Sequence, residues 1–333
     1  MKRILTLLLA AVLVLTAAGC GPTRTAEPVS KTNLMLDTVV TISLYDDDAD
    51  PSALELAFDE IARLEDLLSA TKEGSDLDRL NQAAGKEWVE IAPETQEVLR
   101  LAKEYTALSE GYFDVTAGPL IDLWGIHNGE GHYPTQEELD AVLPLIDSDA
   151  LLVEDRKAFL AREGMKVNLG AIAKGYIADK VKEVLMENGV RHATLDLGRN
   201  VLLIGGKTDD DDFNIGIIDP NSQEEKLVGS LPVSDRSIVT SGVNERYFTY
   251  EGKHYHHILD PFTGFPAENG VASVTILSDS SAQGDALSTS CLLLGREKGL
   301  ALIESLDGVE ALFILADGSK LPSSGFPTDS LTE

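Results

Sequence analysis

Asp285 and Thr289 stand four positions apart in the run AQGDALSTSCLLLG, residues 282–295. On a helix that spacing puts a carboxylate and a hydroxyl on one face. Such a pair suits Mg2+, a hard ion that prefers oxygen ligands and keeps some of its water. Ser288 lies one position off the face and adds a further oxygen. The plainer alternative is an acidic residue that complements a helix dipole. A second cluster, HYHHILDPFTGFP (254–266), holds three of the chain's six histidines and then Asp260-Pro261 and Thr263-Gly264. Successive side chains in a strand alternate, so His256 and His257 face opposite ways. An inward imidazole can accept a proton near neutral pH, with Asp260 as an orienting partner, or can equally form a satisfied core pair. Zinc is not favoured, because the chain has no spare cysteines and no HExxH.

Two further stretches bear on chemistry. In GYFDVTAGPL (111–120), Asp114 and Thr116 sit beside glycines and a proline, which reads as a binding turn or simply as an Asx-capped one. In NLGAIAKGYIADK (168–180), Gly170 and Ala171 are placed to open a helix. Free N–H groups there can meet an anion, with Lys174 one turn later. No Walker phosphate loop and no GxGxxG fingerprint is present.

The elements that must hold these residues are read from periodicity. LMLDTVVTISLY (34–45) is predicted as a strand. A helix follows Asp50-Pro51, with Leu54, Phe58, Ile61, Leu64 and Leu68 on one side. Another begins at Pro93 with Val98, Leu101, Ala102, Tyr105 and Leu108 aligned, and ends at Gly111. Residues 111–133 form a long Gly-rich connection of the kind that carries function. A helix over 170–190, short strands over 192–278, helices over 281–305 and a strand near 309–315 complete the pattern. Helices and strands mix without βαβ alternation, so the fold class is α+β.

The N-terminus sets the compartment. Lys2 and Arg3 precede the apolar run Ile4 to Leu15, and Ala17-Ala18-Gly19 leads into Cys20. This is an export signal, too short to span a membrane as a helix, and its end resembles a bacterial lipobox. The expectation is a signal peptide over 1–19, then a lipidated Cys20 and flexible tether over 20–32. A catalytic domain is expected over 33–322 and a C-terminal tail over 323–333. The mature protein is then anchored by lipid to the cell membrane on its extracytoplasmic face, periplasmic where an outer membrane exists. The remaining cysteine, Cys291, reads as a small buried hydrophobe. The formal charge of −29 becomes −31 without Lys2 and Arg3. That balance argues against nucleic acid and requires a cation or aimed amides to admit any phosphate.

Taken in order, MLDT, LSATKEGSDLDRLN, GYFDVTAGPL, NLGAIAKGYIAD, VTSGVNERYF, HHILDPFTGFP and GDALSTS resemble the ApbE family, the FAD:protein FMN transferases, over about residues 34–315. The resemblance implies a single large ApbE-like, T-fold-related domain that binds FAD and Mg2+. It implies that Met35, Thr71, Tyr112, Phe113, Asp114, Asn168, Lys174, His257 and Leu259 touch the dinucleotide. Thr71 stands where members often carry tyrosine, and Asn168 where many carry aspartate. Ala171, through its carbonyl, and Asp285, Ser288 and Thr289 are the implied metal ligands, with Ser288 replacing a carboxylate. Gly198-Arg199 departs from a Gly-Gly pattern. His257 and Asp285 are the implied catalytic residues. The implied reaction passes FMN from FAD to a Thr or Ser hydroxyl of an electron-transfer protein and releases AMP. Hydrolysis of FAD to FMN and AMP, or flavin binding without catalysis, are the alternatives.

Overall fold

The stretch expected as one strand folds back on itself. In the computed structural model, which describes residues 27–129, 131–222, 224, 226–329 and 331, β1 (Val29–Met35) pairs antiparallel with β2 (Thr38–Leu44). Leu36 and Asp37 turn the corner with φ of 55° and 54°, a conformation usually left to glycine or asparagine. Glu65 Oε1 holds the turn by accepting the Leu36 N–H at 2.9 Å. The strand thus starts inside the segment expected as tether. Cys20 and the signal lie outside the described residues.

Helix α1 (Ser52–Leu68) buries the stripe read from its periodicity, Leu54, Phe58, Ile61, Leu64 and Leu68. After α2 (Asp76–Gln82) and β3 (Val89–Glu90), α3 (Pro93–Leu108) buries Val98, Leu99, Ala102 and Tyr105, while Leu108 turns outward. The connection expected to be irregular contains α4 (Gly118–Trp124), which Pro119 starts and a left-handed Gly125 stops. The chain continues through α5 (Gln136–Val142), β4 (Leu151–Glu154), β5 (Lys157–Leu160), α6 (Ala173–Glu187), β6 (Ala193–Leu197) and β7 (Asn200–Ile204). It ends with β8 (Phe213–Ile218), β9 (Leu227–Val233), β10 (Ser237–Gly242), β11 (Tyr247–Tyr250), β12 (Lys253–His256), β13 (Val271–Ser278), α7 (Ser281–Glu304), β14 (Glu310–Leu315) and β15 (Lys320–Pro322). The expected α+β class holds.

Eight strands form one antiparallel sheet in the order β1-β2-β6-β7-β10-β13-β14-β15. Helix α1 packs on α6 and α6 on α7, and together they cover one face, α7 lying along β10 and β13. The β8–β9 hairpin covers the other face, where Phe213, Ile217 and Leu231 meet Leu203, Ile238, Leu277 and Leu312. Covered on both sides, β13 has every residue buried. Phe326 also packs into this second core, and Leu331 bridges to Gly229. The segment expected as a C-terminal tail therefore packs on the domain through Phe326 and Leu331.

A third core cluster, centred on Trp124, fastens the histidine loop to α4 and α5. Trp124 Nε1 donates to the Gly264 carbonyl at 2.7 Å in a buried setting. Trp124→Phe removes that donor while keeping most of the ring, and leaves the carbonyl unpaired. A thermal melt is expected to show about 1–3 kcal/mol of lost stability, with the loop 257–266 loosening first.

Candidate active site

A cavity of about 540 Å3 opens at the end of the sheet, within the usual range for small-molecule sites. Its walls come from the β1–β2 turn, the end of α1, residues 112–117 and 168–174, the β6–β7 turn, β10, residues 257–261 and one face of α7. A second, more open pocket adjoins it and shares Asp37, Thr71, His127, Glu245 and Arg246.

Helix α7 presents Asp285 and Thr289 to the cavity, as their spacing requires. Asp285 is 3% exposed. Its Oδ2 accepts the Gly175 N–H at 3.0 Å, which ties α6 to α7. Among the described residues, Oδ1 has only the Lys174 ammonium, at 3.8 Å. Ser288 does not line the cavity. It is fully buried, donates to the Asp285 carbonyl at 2.9 Å and meets Ser241 Oγ at 2.8 Å, so it is turned away from the place where a metal ligand was expected. One residue of offset rotates a side chain by about 100° on a helix, and that is what removes it. Ser241 and Ala171 do line the cavity.

The donor set is thus one carboxylate with an available oxygen, two hydroxyls and a backbone carbonyl. Among the described residues, no three His, Cys, Asp or Glu side chains gather as a metal group. These hard and few donors fit Mg2+, which is held by one or two carboxylates and completes its shell with water and substrate phosphates. Gly175 is indispensable to the arrangement, because a Cβ there would collide with the Ser281 carbonyl and Ala282 Cα. Gly175→Ala is expected to push α6 from α7 and break the Asp285 contact. A fall in melting temperature of several degrees, with loss of activity, should be read in a melt and an assay.

Gly170 and Ala171 do not open a helix as expected. Helix α6 starts at Ala173, and the Gly170 N–H is already taken by Asn168 Oδ1 at 2.8 Å. Lys174 does line the wall as expected, and Arg199 and Arg246 join it there as further cations. Between them sits Glu245, 3.7 Å from Arg199. Burial raises its carboxyl pKa, against the pull of Arg199, Lys174 and Arg246.

His257 lines the cavity, and His256 turns away to the Ala267 carbonyl. Arg246 orients His257: its carbonyl lies 3.1 Å from Nδ1. A carbonyl can only accept, so Nδ1 carries the hydrogen and Nε2 keeps a lone pair. The Arg246 guanidinium in turn donates to His127 Nδ1 at 2.9 Å, and the two imidazoles meet edge to face at 5.5 Å. Desolvation pushes the His257 pKa down to about 3, with the His127 ring contributing next. Asp260, the expected orienting partner, is spent elsewhere, accepting from Phe262 N at 2.8 Å within its own turn.

Tyr112, Phe113 and Asp114 all reach the cavity. The Asp114 carboxylate, however, serves its own turn: Oδ1 accepts from Thr116 N and Oγ1 at 2.8 and 2.6 Å, and Oδ2 from Ser148 N at 3.1 Å. Tyr112 stands edge-on to Phe262 at 4.9 Å, leaving an aromatic wall. Thr71, Asn168 and Leu259 also line the cavity, whereas Met35 does not and is replaced by Leu36, Asp37 and Thr38. Sequence reading missed Glu245, Arg246, His127 and Asn200. The adjacent opposite charges after Gly242 in VTSGVNERYF were the available signal for the first two.

Comparison with known proteins agrees with this fold. The ApbE family matches residues 36–313. A Treponema pallidum protein named FAD:protein FMN transferase is 34% identical over 325 residues, covering 92% of this chain and 90% of its own length. One from Klebsiella pneumoniae is 33% identical over 293 residues, covering 87% and 90%. The crystal structure of the ApbE protein of Thermotoga maritima superposes with a TM-score of 0.83 at 30% identity, over 90% of this chain and 97% of that one. The flavin transferase ApbE of Vibrio cholerae gives 0.82 at 30% identity, over 90% and 98%. With a match across most of its length and relatives above 30% identity, this chain belongs to the ApbE family.

Proposed function

We propose that this protein is a flavinyltransferase that moves FMN from FAD to an acceptor protein, and that it uses Mg2+ to form a phosphoester on a Thr or Ser hydroxyl with AMP as leaving group. The observation that carries the reading is the pairing, in one cavity, of an Asp285–Thr289 oxygen face beside Lys174 with a His257 whose Nε2, among the described residues, is left as an acceptor. When bound there, Mg2+ supplies charge withdrawal from the pyrophosphate oxygens and orients them for in-line displacement. Lys174 and Arg199 hold the phosphates, and the Tyr112 wall stacks on the flavin side.

The acceptor hydroxyl loses its proton to His257 Nε2 as its oxygen bonds to the FMN phosphorus. The bond from that phosphorus to the bridging oxygen breaks, and AMP departs with the electron pair. The adjoining open pocket supports entry of a polypeptide toward His257. The acceptor is an electron-transfer protein at the membrane, in keeping with the lipid anchor expected at Cys20. Incubation of the soluble domain with FAD, Mg2+ and a redox-subunit fragment should yield an FMN adduct on Thr or Ser by mass spectrometry, with matching AMP. Free FMN and AMP without an adduct would replace the transferase by a hydrolase.

A further inference from the structure

The β6–β7 turn holds a side chain that neither the sequence pattern nor the catalytic scheme has used. Gly198 and Arg199 make this two-residue hairpin turn with φ of 66° and 67°, and the next residue, Asn200, opens β7 opposite Val239 of β10. Asn200 is 1% exposed and yet lines the cavity. Its Oδ1 accepts from Ser281 Oγ at 2.5 Å, while Nδ2 has no hydrogen-bond partner among the described residues. A buried donor left unpaired is costly, so such an atom in a cavity wall points to a ligand acceptor.

The anchor tells which part of the ligand that is. Ser281, Asp285 and Thr289 succeed one another at four-residue intervals on one face of α7, each step rising about 6 Å. Asn200 is bonded to Ser281, so it sits one turn before the carboxylate that faces Lys174. The wall there is cationic through Arg199 and Lys174, and the atom offered is a neutral N–H donor. That chemistry matches a phosphoryl oxygen next to the metal-binding face, and not the aromatic flavin ring held near Tyr112. The left-handed Arg199, a conformation that non-glycine residues seldom adopt, sets the turn that delivers this amide.

We propose that Asn200 is a substrate-positioning residue whose Nδ2 donates to a pyrophosphate oxygen of the dinucleotide, an inference that rests on the FAD reading above. Asn200→Asp keeps the shape and the Ser281 contact while replacing the donor with a negative charge. Asn200→Ala removes the amide without adding charge and decides the matter if the first variant does not fold. Binding of FAD and of riboflavin, which lacks phosphate, is measured by flavin fluorescence in the presence of Mg2+, with melting curves alongside. The expected result is FAD affinity weakened at least about tenfold with riboflavin affinity nearly unchanged. Equal weakening of both ligands would assign Asn200 a structural role and overturn the inference, and so would unchanged FAD binding. Failure of the unaltered protein to bind FAD would overturn the donor reading and, with it, this inference.

Discussion

Asp285→Asn is expected to lower kcat/KM for FMN transfer by about 10^3 while the protein keeps its melting temperature within a few degrees. The asparagine carbonyl can still accept the Gly175 N–H that Asp285 Oδ2 accepts at 3.0 Å, so the α6–α7 contact survives. What disappears is the charged oxygen that faces Lys174 at 3.8 Å and that would hold a divalent ion. Neutralising a carboxylate that is 3% exposed removes a desolvation penalty, so stability should stay level or rise. Raising the Mg2+ concentration should recover part of the lost rate by mass action. Transfer at more than about a tenth of the unaltered rate, read as FMN adduct and AMP, would take this carboxylate out of the chemistry.

His257→Ala is the second large effect: kcat should fall by about 10^2–10^4, the usual worth of a positioned general base, with FAD affinity little changed. The tautomer carries the argument. Arg246 O takes the Nδ1 hydrogen at 3.1 Å, which leaves Nε2 as the acceptor. Because desolvation holds the His257 pKa at about 3 in the free protein, the base is unprotonated throughout the neutral range. The acid limb of kcat/KM, which reports the free enzyme, should therefore lie far below the ordinary imidazole value of about 6.5. Bound FAD brings anionic phosphates that favour the imidazolium, so the limb of kcat should lie above that of kcat/KM. An inflection near 6.5 in kcat/KM that vanishes in His257→Gln would contradict this environment.

The same shift links stability to pH. The folded state resists a proton that the unfolded chain accepts below about 6.5, so this contribution weakens the fold as pH drops from there toward 3.

Several parts of the site were legible because local spacing alone determines them. Four residues on a helix put Asp285 and Thr289 together, and alternation along a strand turns one of His256 and His257 inward. The stripe on α1 and the start at Pro93 follow from the same periodicities. Other features carry no local signal. At the Leu36–Asp37 corner, leucine does not announce a left-handed turn, and the contact that holds it comes from Glu65, 29 residues away, which accepts the Leu36 N–H. Ser288 looked like a ligand until the rotation of α7 against β10 turned it to Ser241.

By itself, the sequence determined the α+β class, the main amphipathic elements, the acidic balance, and the oxygen-bearing residue types that suit a hard cation. Those depend on periodicity and composition, which act over a few neighbours. Only the tertiary structure decided that Arg246, rather than Asp260, orients His257, that Glu245 sits among three cations, and that Asn200 keeps an unpaired amide in the wall. The first depends on the pairing of β11 with β12, which sets Arg246 opposite His257. The other two depend on contacts between segments far apart in the chain, Glu245 with Arg199 and Asn200 with Ser281, which only the packing of the sheet and its helices brings together.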